Sequence, residues 1–335
     1  MTEMAVHTVV LSLAWFAAVN AIGSMVAIAL ALFAQRFDPT TRRPRLFLAI
    51  RLLPSALSLL FVSVMFFPSQ WLLEPRDTTE TLGLAWYALA GAGAWLLSSG
   101  LSRAVAIGRV SRLARFGGRQ FTVGTESVQE VELPGVSLAG VLKPRILVGR
   151  AVTAGLSSAE LEVAVAHEIA HRDAFDNLAR WSMLCAPDFL RGSVIATRLE
   201  EGWHAAAESR ADARAIDGNK ARAVHLASAL LKVARLSAKW TQQFPAPSWS
   251  ALNDCDLLEW RVHRLLDGAV PEAEPATRTA SPAALVRQAV SSVLKPVGNL
   301  RCRDPGSGVR DLGSGIRTAF GSPLLRPLVV IARLR

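Results

Sequence analysis

Three long apolar runs dominate the first 102 residues of the chain. The first covers residues 8–34, and the third covers residues 82–101. The second covers residues 52–67 and starts as early as Leu46 if the Arg51 side chain snorkels to the membrane interface. Because a helix needs about 20 apolar residues to cross a hydrocarbon core of about 30 Å, the pattern predicts three transmembrane helices.

Arginine is distributed unevenly among the segments that flank these runs. The first loop is rich in arginine, the second loop has a single one, and the segment after the third run is again rich. By the positive-inside rule, the first loop and everything after the third span lie in the cytoplasm, with the N-terminus outside. We therefore expect a multi-pass protein of the cell (inner) membrane. The arginines counted are Arg36, Arg42, Arg43, Arg45 and Arg51, then Arg76, then Arg103, Arg109, Arg112, Arg115 and Arg119.

The overall composition agrees with that picture. The 335 residues are 51% hydrophobic, and yet the formal net charge is +10. This pairing is typical of a membrane protein with basic cytoplasmic flanks, and no finger or aromatic-basic motif appears, so direct nucleic-acid binding is not expected. The three cysteines are widely spaced and odd in number, so no disulfide framework is predicted.

The pattern of apolar and polar residues changes from residue 120 onwards. Short β-branched runs at 121–123, 128–133 and 145–148 are separated by glycine and proline, which predicts a small sheet. Longer helical patterns follow, so the predicted fold is α+β and mainly α. The predicted segments are a three-span region at 1–102, a basic juxtamembrane linker at 103–119, a folded domain at 120–267 and a basic tail at 268–335.

The tail is rich in alanine, arginine, proline, glycine and serine, and we expect it to be largely disordered. Residues 285–294 carry apolar side chains on one helical face, which predicts a short membrane-surface helix within it.

The strongest chemical signal is the run His167-Glu168-Ile169-Ala170-His171. Two histidines four residues apart point to the same side of a helix, so both imidazoles can bind one zinc ion. Glu168 then lies where it can act as a general base toward water. Upstream, Ser157 and Glu160 have the spacing of a capping box, which predicts that the helix begins there.

A third ligand has to come from elsewhere, because Asn177 stands where a closely following histidine ligand would be. Glu208 and Asp212 share one face of an alanine-rich helical stretch, which follows a shorter helix at 190–199. Glu208 can complete a His-His-Glu site. Asp212 can fix the tautomer of a histidine ligand by accepting a hydrogen bond from the ring nitrogen that does not bind the metal. His204, one turn before Glu208, is the rival ligand, although we expect it to be more exposed, near the start of its helix.

Several motifs together carry a resemblance to a known family. Residues 140–148, the run Leu156–Leu161, His167–His171 and Asp176-Asn177 resemble bacterial membrane metallopeptidases of the beta-lactam sensor-transducer (antirepressor) family. Glu208-Ser209-Arg210-Ala211-Asp212 is similar to the glutamate motif of the related prenyl-protease and heat-shock membrane proteases. Leu258–Leu266 resembles the helix that closes the peptidase domain in both groups. The likeness covers roughly four fifths of the chain.

The resemblance implies a gluzincin domain at 120–267 that uses Zn²⁺ as its cofactor. It implies His167, His171 and Glu208 as metal ligands, Glu168 as the catalytic base, and a supporting role for Asp212 and Asp176. It also implies a cytoplasmic protein substrate, with a transcriptional repressor as one candidate. The chain departs from the sensor-transducers because their fourth span and extracellular penicillin-binding domain do not follow residue 267, so we do not expect direct beta-lactam sensing.

The functional hypothesis is a membrane-anchored zinc endopeptidase that cleaves a cytoplasmic regulator in transmembrane signalling. One alternative is a quality-control protease for membrane proteins, and another is a non-proteolytic signal module with a structural zinc site. A structural site is usually closed by four cysteine or histidine ligands, whereas three protein ligands and a positioned glutamate leave room for water, which favours the enzyme.

Overall fold

The computed structural model describes residues 2–34, 44–73, 82–113, 118–132, 134–243 and 255–268. Within these ranges the chain is mainly helical and has one small sheet. The predicted tail helix at 285–294 lies outside the described residues. The helices are α1 (Thr2–Ala34), α2 (Pro44–Leu60), α3 (Phe67–Leu73), α4 (Leu84–Leu113), α5 (Arg150–Gly155), α6 (Ser158–Asp173), α7 (Asp176–Cys185), α8 (Val194–Ile216), α9 (Lys220–Gln243) and α10 (Cys255–Asp267), and the strands are β1 (Gln120–Val123), β2 (Glu126–Val131), β3 (Val136–Ala139) and β4 (Arg145–Gly149).

Three N-terminal helical segments are long and apolar enough to cross a membrane: Ala5–Phe33, Pro44–Leu73 and Leu84–Arg109. Their number agrees with the three runs predicted from the sequence. The second is longer than predicted, because α2 continues through a π-helical stretch, Phe61–Phe66, directly into α3. Pro54 lies within α2 and does not end it.

By internal contacts the chain divides into two compact units. Unit 1 comprises residues 1–109 and 178–207, and unit 2 comprises residues 110–177 and 208–335. Residues 178–207, which the sequence places inside the predicted domain at 120–267, therefore group with the apolar helices. The predicted segmentation itself stays a prediction.

Unit 1 contains a buried ion cluster around Arg51. The Arg51 side chain is 1% exposed, and its Nη1 donates to Asp188 Oδ2 at 2.6 Å while its Nε donates to Glu200 Oε1 at 2.9 Å. Ser55 Oγ adds a hydrogen bond to Asp188 Oδ2 at 3.1 Å. The expectation that Arg51 snorkels to the interface is therefore wrong, because two carboxylates compensate its charge inside the protein.

Polar side chains from the long helices also bind the backbone at the end of α7. Arg103 donates to Leu184 O and Ala186 O at 2.8 and 3.0 Å, and Asn20 donates to Pro187 O at 2.9 Å. The last carbonyls of a helix have no partner within the helix, and cationic donors suit its negative end. Side chains of α1 and α4 therefore supply hydrogen-bond donors to the backbone carbonyl groups at and just after the end of α7.

The orientation of the spans can be tested with reporter fusions. We expect a fusion after Thr78 to report outside and a fusion after Gly117 to report inside, because the first loop carries five arginines and the second loop one. A paired phosphatase and fluorescent-protein reporter at each site measures this. The opposite pattern at both sites would contradict the predicted orientation.

Unit 2 contains a four-stranded sheet with the order β1-β2-β4-β3. β2 and β4 are parallel, whereas the outer strands pair antiparallel to their neighbours. The sequence missed β3, a four-residue strand at one edge. Apolar residues of β2, β4, α5 and α6 form a common core with α9, including Val128, Val148, Val152 and Val165. The sheet thereby shields one side of α6.

α6 begins as predicted, with a capping box. Ser157 Oγ accepts from the Glu160 backbone N–H, and the Glu160 carboxylate accepts from the Ser157 N–H at 2.8 Å. The same carboxylate binds Ser228 Oγ at 2.6 Å and Lys232 Nζ at 2.7 Å from α9. Burial alone would raise the pKa of Glu160, but these bonds lower it to about 2. The start of α6 is thus fixed to α9 by an ionised, buried carboxylate.

Candidate metal centre

Two histidines on α6 supply the first part of the site. His167 and His171 are one turn apart and are both buried, with 7% and 8% exposure. Their Nε2 atoms lie 3.0 Å from each other. Helical spacing alone explains the shared direction, as the sequence predicted.

Glu208 of α8 completes a group of three possible metal ligands within unit 2. Its Oε2 lies 3.3 Å from His167 Nε2, and its Oε1 lies 3.5 Å from His171 Nε2. For comparison, ligand atoms about 2.0–2.2 Å from a tetrahedral ion are separated from each other by about 3.3–3.6 Å. The three side chains could therefore hold one metal ion.

A carboxylate stands behind each histidine. Asp176 Oδ2 is 2.7 Å from His171 Nδ1, and Asp212 Oδ1 is 3.0 Å from His167 Nδ1. The second contact is an ion-pair distance only, and His167 Nδ1 makes no regular hydrogen bond. A carboxylate at Nδ1 favours the proton there, which leaves the Nε2 lone pair directed into the site. The supporting roles of Asp176 and Asp212 stay predictions, and these distances are compatible with them.

Both of these aspartates are in turn held by arginines. Arg210 Nη2 donates to Asp176 at 2.5 and 2.7 Å. Arg261 of α10 donates to Asp212 at 2.6 and 2.9 Å, and its Nη1 also lies 2.8 Å from Glu208 Oε2. Neither arginine was assigned a role from the sequence, although both lie inside the motifs that carry the resemblance. Their position close to the acidic residues of the site could have indicated such a role, because buried carboxylates need cationic partners.

The electrostatics of the group favour positive charge between the ligands. Burial lowers the pKa of His171, but hydrogen bonds to Asp176 and Glu208 outweigh it and raise this pKa to about 10. Burial raises the pKa of Glu208, but the charge of Arg261 and the two histidines hold it well below its ordinary value. The pKa of Asp212 is lowered in the same way by His167 and Arg261.

The formal charges of the group leave an excess of negative charge when both imidazoles are neutral. Glu168, Glu208, Asp176 and Asp212 bring four negative charges, while Arg210 and Arg261 bring two positive ones. With neutral imidazoles the sum is −2, and two Nε2 lone pairs that face each other at 3.0 Å repel unless a cation or proton lies between them. A divalent metal ion would resolve both imbalances.

Glu168 lies between the two histidines in the sequence and is half-buried. Its charge raises the pKa of His171 and that of Arg261, after larger effects from burial and from nearer partners. It is not one of the three clustered ligands. Its role as a general base stays a prediction.

His204 is placed differently from Glu208. It lies in unit 1, half-buried and ten residues after the first residue of α8, so the expectation that it is near the start of its helix is wrong. Its Nδ1 is 3.4 Å from Arg180 Nη2. Among the described residues, the clustered ligands are His167, His171 and Glu208.

Comparisons of the chain with protein-family models, with curated proteins and with solved structures find no match.

Proposed function

We propose that this chain is a membrane-anchored zinc endopeptidase that cleaves a cytoplasmic regulatory protein in transmembrane signalling. The observation that carries the proposal is the group of His167, His171 and Glu208 with Glu168 close beside it. The family resemblance to membrane metallopeptidases supports the same reading. The three apolar helices support attachment to a membrane.

Zinc is the metal that this set of donor atoms suits best. Two imidazole nitrogens and one carboxylate oxygen form a common ligand set of catalytic zinc, whereas magnesium and calcium prefer oxygen donors. Three protein ligands leave one tetrahedral position for water or substrate. A bound zinc ion would polarise a peptide carbonyl and lower the pKa of water toward ~7.

The residues of the chain then have separate tasks. Glu168 takes the proton of the attacking water and transfers it to the leaving amine, as a general base and then a general acid. Asp176 keeps the Nδ1 proton of His171 in place and so directs its Nε2 atom toward the reaction centre, while the negative charge of Asp212, 3.0 Å from His167 Nδ1, favours the proton on that nitrogen.

The substrate backbone has a candidate binding edge in β3. This strand lies at the edge of the sheet and beside α6. Asn177 Nδ2 donates to Leu138 O and Gly140 O at 2.9 and 2.8 Å, which ties one end of the edge to α7. We propose that an extended substrate segment pairs with β3 toward its Val136 end, because strand addition supplies backbone hydrogen bonds without demanding one sequence.

Removal and return of the metal test the proposal. We expect the full chain, purified in detergent, to cleave unfolded protein substrates, to lose that activity on dialysis against a chelator, and to regain it with equimolar Zn²⁺ but not with Mg²⁺. Peptide products are measured by mass spectrometry. Cleavage that survives with less than a tenth of an equivalent of bound metal would refute the zinc mechanism.

A further inference from the structure

Arg261 joins the ligand Glu208 to the supporting Asp212. Its Nε and Nη2 form a fork on the two Asp212 oxygens at 2.9 and 2.6 Å, and its Nη1 lies 2.8 Å from Glu208 Oε2. The Arg261 side chain is 10% exposed. A single buried guanidinium therefore contacts both acidic residues that α8 brings to the site.

These contacts direct Arg261 toward groups within the protein. A guanidinium has five N–H donors, and the contacts with Asp212 and Glu208 already direct all three of its nitrogens toward protein carboxylates. Its Nη2 also lies 3.5 Å from His167 Nε2, on the side of the ligand atoms. A group held in this way acts through its neighbours.

From this geometry we infer that Arg261 is a positioning residue that fixes the orientation of Glu208 as a metal ligand. The inference rests on the metal site of the proposed function. Arg261 holds Oε2 of Glu208 and both oxygens of Asp212, so the Glu208 carboxylate keeps its place beside the two histidine Nε2 atoms.

Two effects of Arg261 on metal affinity oppose each other. Its positive charge repels a divalent ion, so charge alone predicts tighter binding once it is removed. However, its loss leaves Glu208 and Asp212 buried without a cation, and both can then protonate or reorient. We expect the second effect to dominate, because loss of partners that orient ligands typically weakens metal binding about 10–100-fold.

Arg264 provides a matched control on the same helix. It lies one turn after Arg261, bonds Ser209 Oγ, and donates to Ser209 O at 2.8 Å. It also stacks over the Trp260 ring at 5.1 Å. Arg264 therefore also fixes α10 to α8, next to Glu208, but its contacts go to a residue that is not a ligand.

Titration with Co²⁺ tests the inference because its visible spectrum reports on coordination. The metal-free full chain in detergent is titrated in competition with a chelator, as native protein and as Arg261→Met, Arg261→Lys and Arg264→Met. We expect Arg261→Met to weaken Co²⁺ binding about 10–100-fold and to reduce the intense bands of four-coordinate Co²⁺. We expect Arg261→Lys to keep the charge but alter the spectrum, and Arg264→Met to change neither measurement.

Each result decides something. Native affinity and spectrum in Arg261→Met would overturn the inference, and an equal loss in Arg264→Met would show that Arg261 merely attaches α10. If Arg261→Met lacks a thermal unfolding transition, the spectrum of Arg261→Lys decides. Absence of Co²⁺ binding by the native chain would refute both this inference and the proposed function. Binding that depends on Arg261 without any proteolysis would leave the inference standing and refute the peptidase.

Discussion

Replacing Glu168 with glutamine is expected to lower the rate of peptide cleavage by about 10³-fold and to leave metal content unchanged. Glutamine has nearly the same shape as glutamate but cannot accept a proton from water at neutral pH. Glu168 is not one of the three clustered ligands, so the metal site should persist. Initial rates of product formation and metal analysis of the same sample provide the two measurements.

The same variant identifies substrates. Cells that contain Glu168→Gln should accumulate intact substrates that native cells cleave, and new protein termini present only in native cells map the cut sites. Glu162→Gln, at an exposed position of the same helix, is the matched control and should behave like the native protein. Unchanged cleavage by a metal-loaded Glu168→Gln protein would exclude Glu168 as the base.

Replacing Glu208 with alanine is expected to remove most bound zinc and all activity. The Glu208 carboxylate lies within 3.5 Å of both histidine Nε2 atoms, so its loss leaves two protein ligands. Two ligands bind zinc far more weakly than three, and Arg261 would lose one of its two carboxylate partners. Metal content after gel filtration and cleavage rate measure the effect.

The comparison variant is His204→Ala, on the same helix one turn earlier. Its side chain lies in unit 1 near Arg180, so we expect zinc content and activity close to those of the native chain. Metal loss in His204→Ala together with full metal content in Glu208→Ala would reverse the ligand assignment. A shared loss of the unfolding transition would instead indicate a folding defect, and Glu208→Gln would then replace Glu208→Ala.

Features that depend on neighbours in the sequence were predictable. The two residues of the capping box, Ser157 and Glu160, are three positions apart in the sequence. The two histidines are separated by one helical turn. Three apolar runs predicted three helices that could cross a membrane, because the main requirement for such a helix is a sufficient number of consecutive apolar residues. The three apolar segments, the start of the helix and the histidine pair follow from such short-range rules.

Features that depend on distant partners were not predictable in the same way. Arg51 was expected at an interface because its acidic partner Asp188 is 137 residues further along the chain. Arg261 is 49 residues from Asp212, and no spacing rule links them. The edge strand β3 is four residues long, which is too short for its alternating pattern to distinguish it from a loop.

The buried pair of Arg51 and Asp188 has a consequence for how the protein is synthesised. Arg51 belongs to the second of the three apolar segments that could cross a membrane, whereas Asp188 follows 137 residues later. At a ribosomal rate of about 5–20 residues per second, that carboxylate does not exist for roughly 7–27 s after Arg51 has been added. An arginine within a membrane-spanning helix costs about 2.5–3.5 kcal/mol during insertion, so we expect the second segment, if it spans, to become fully stable only after the chain beyond α7 has been made. The order of translation thereby makes a late segment the folding partner of an early one.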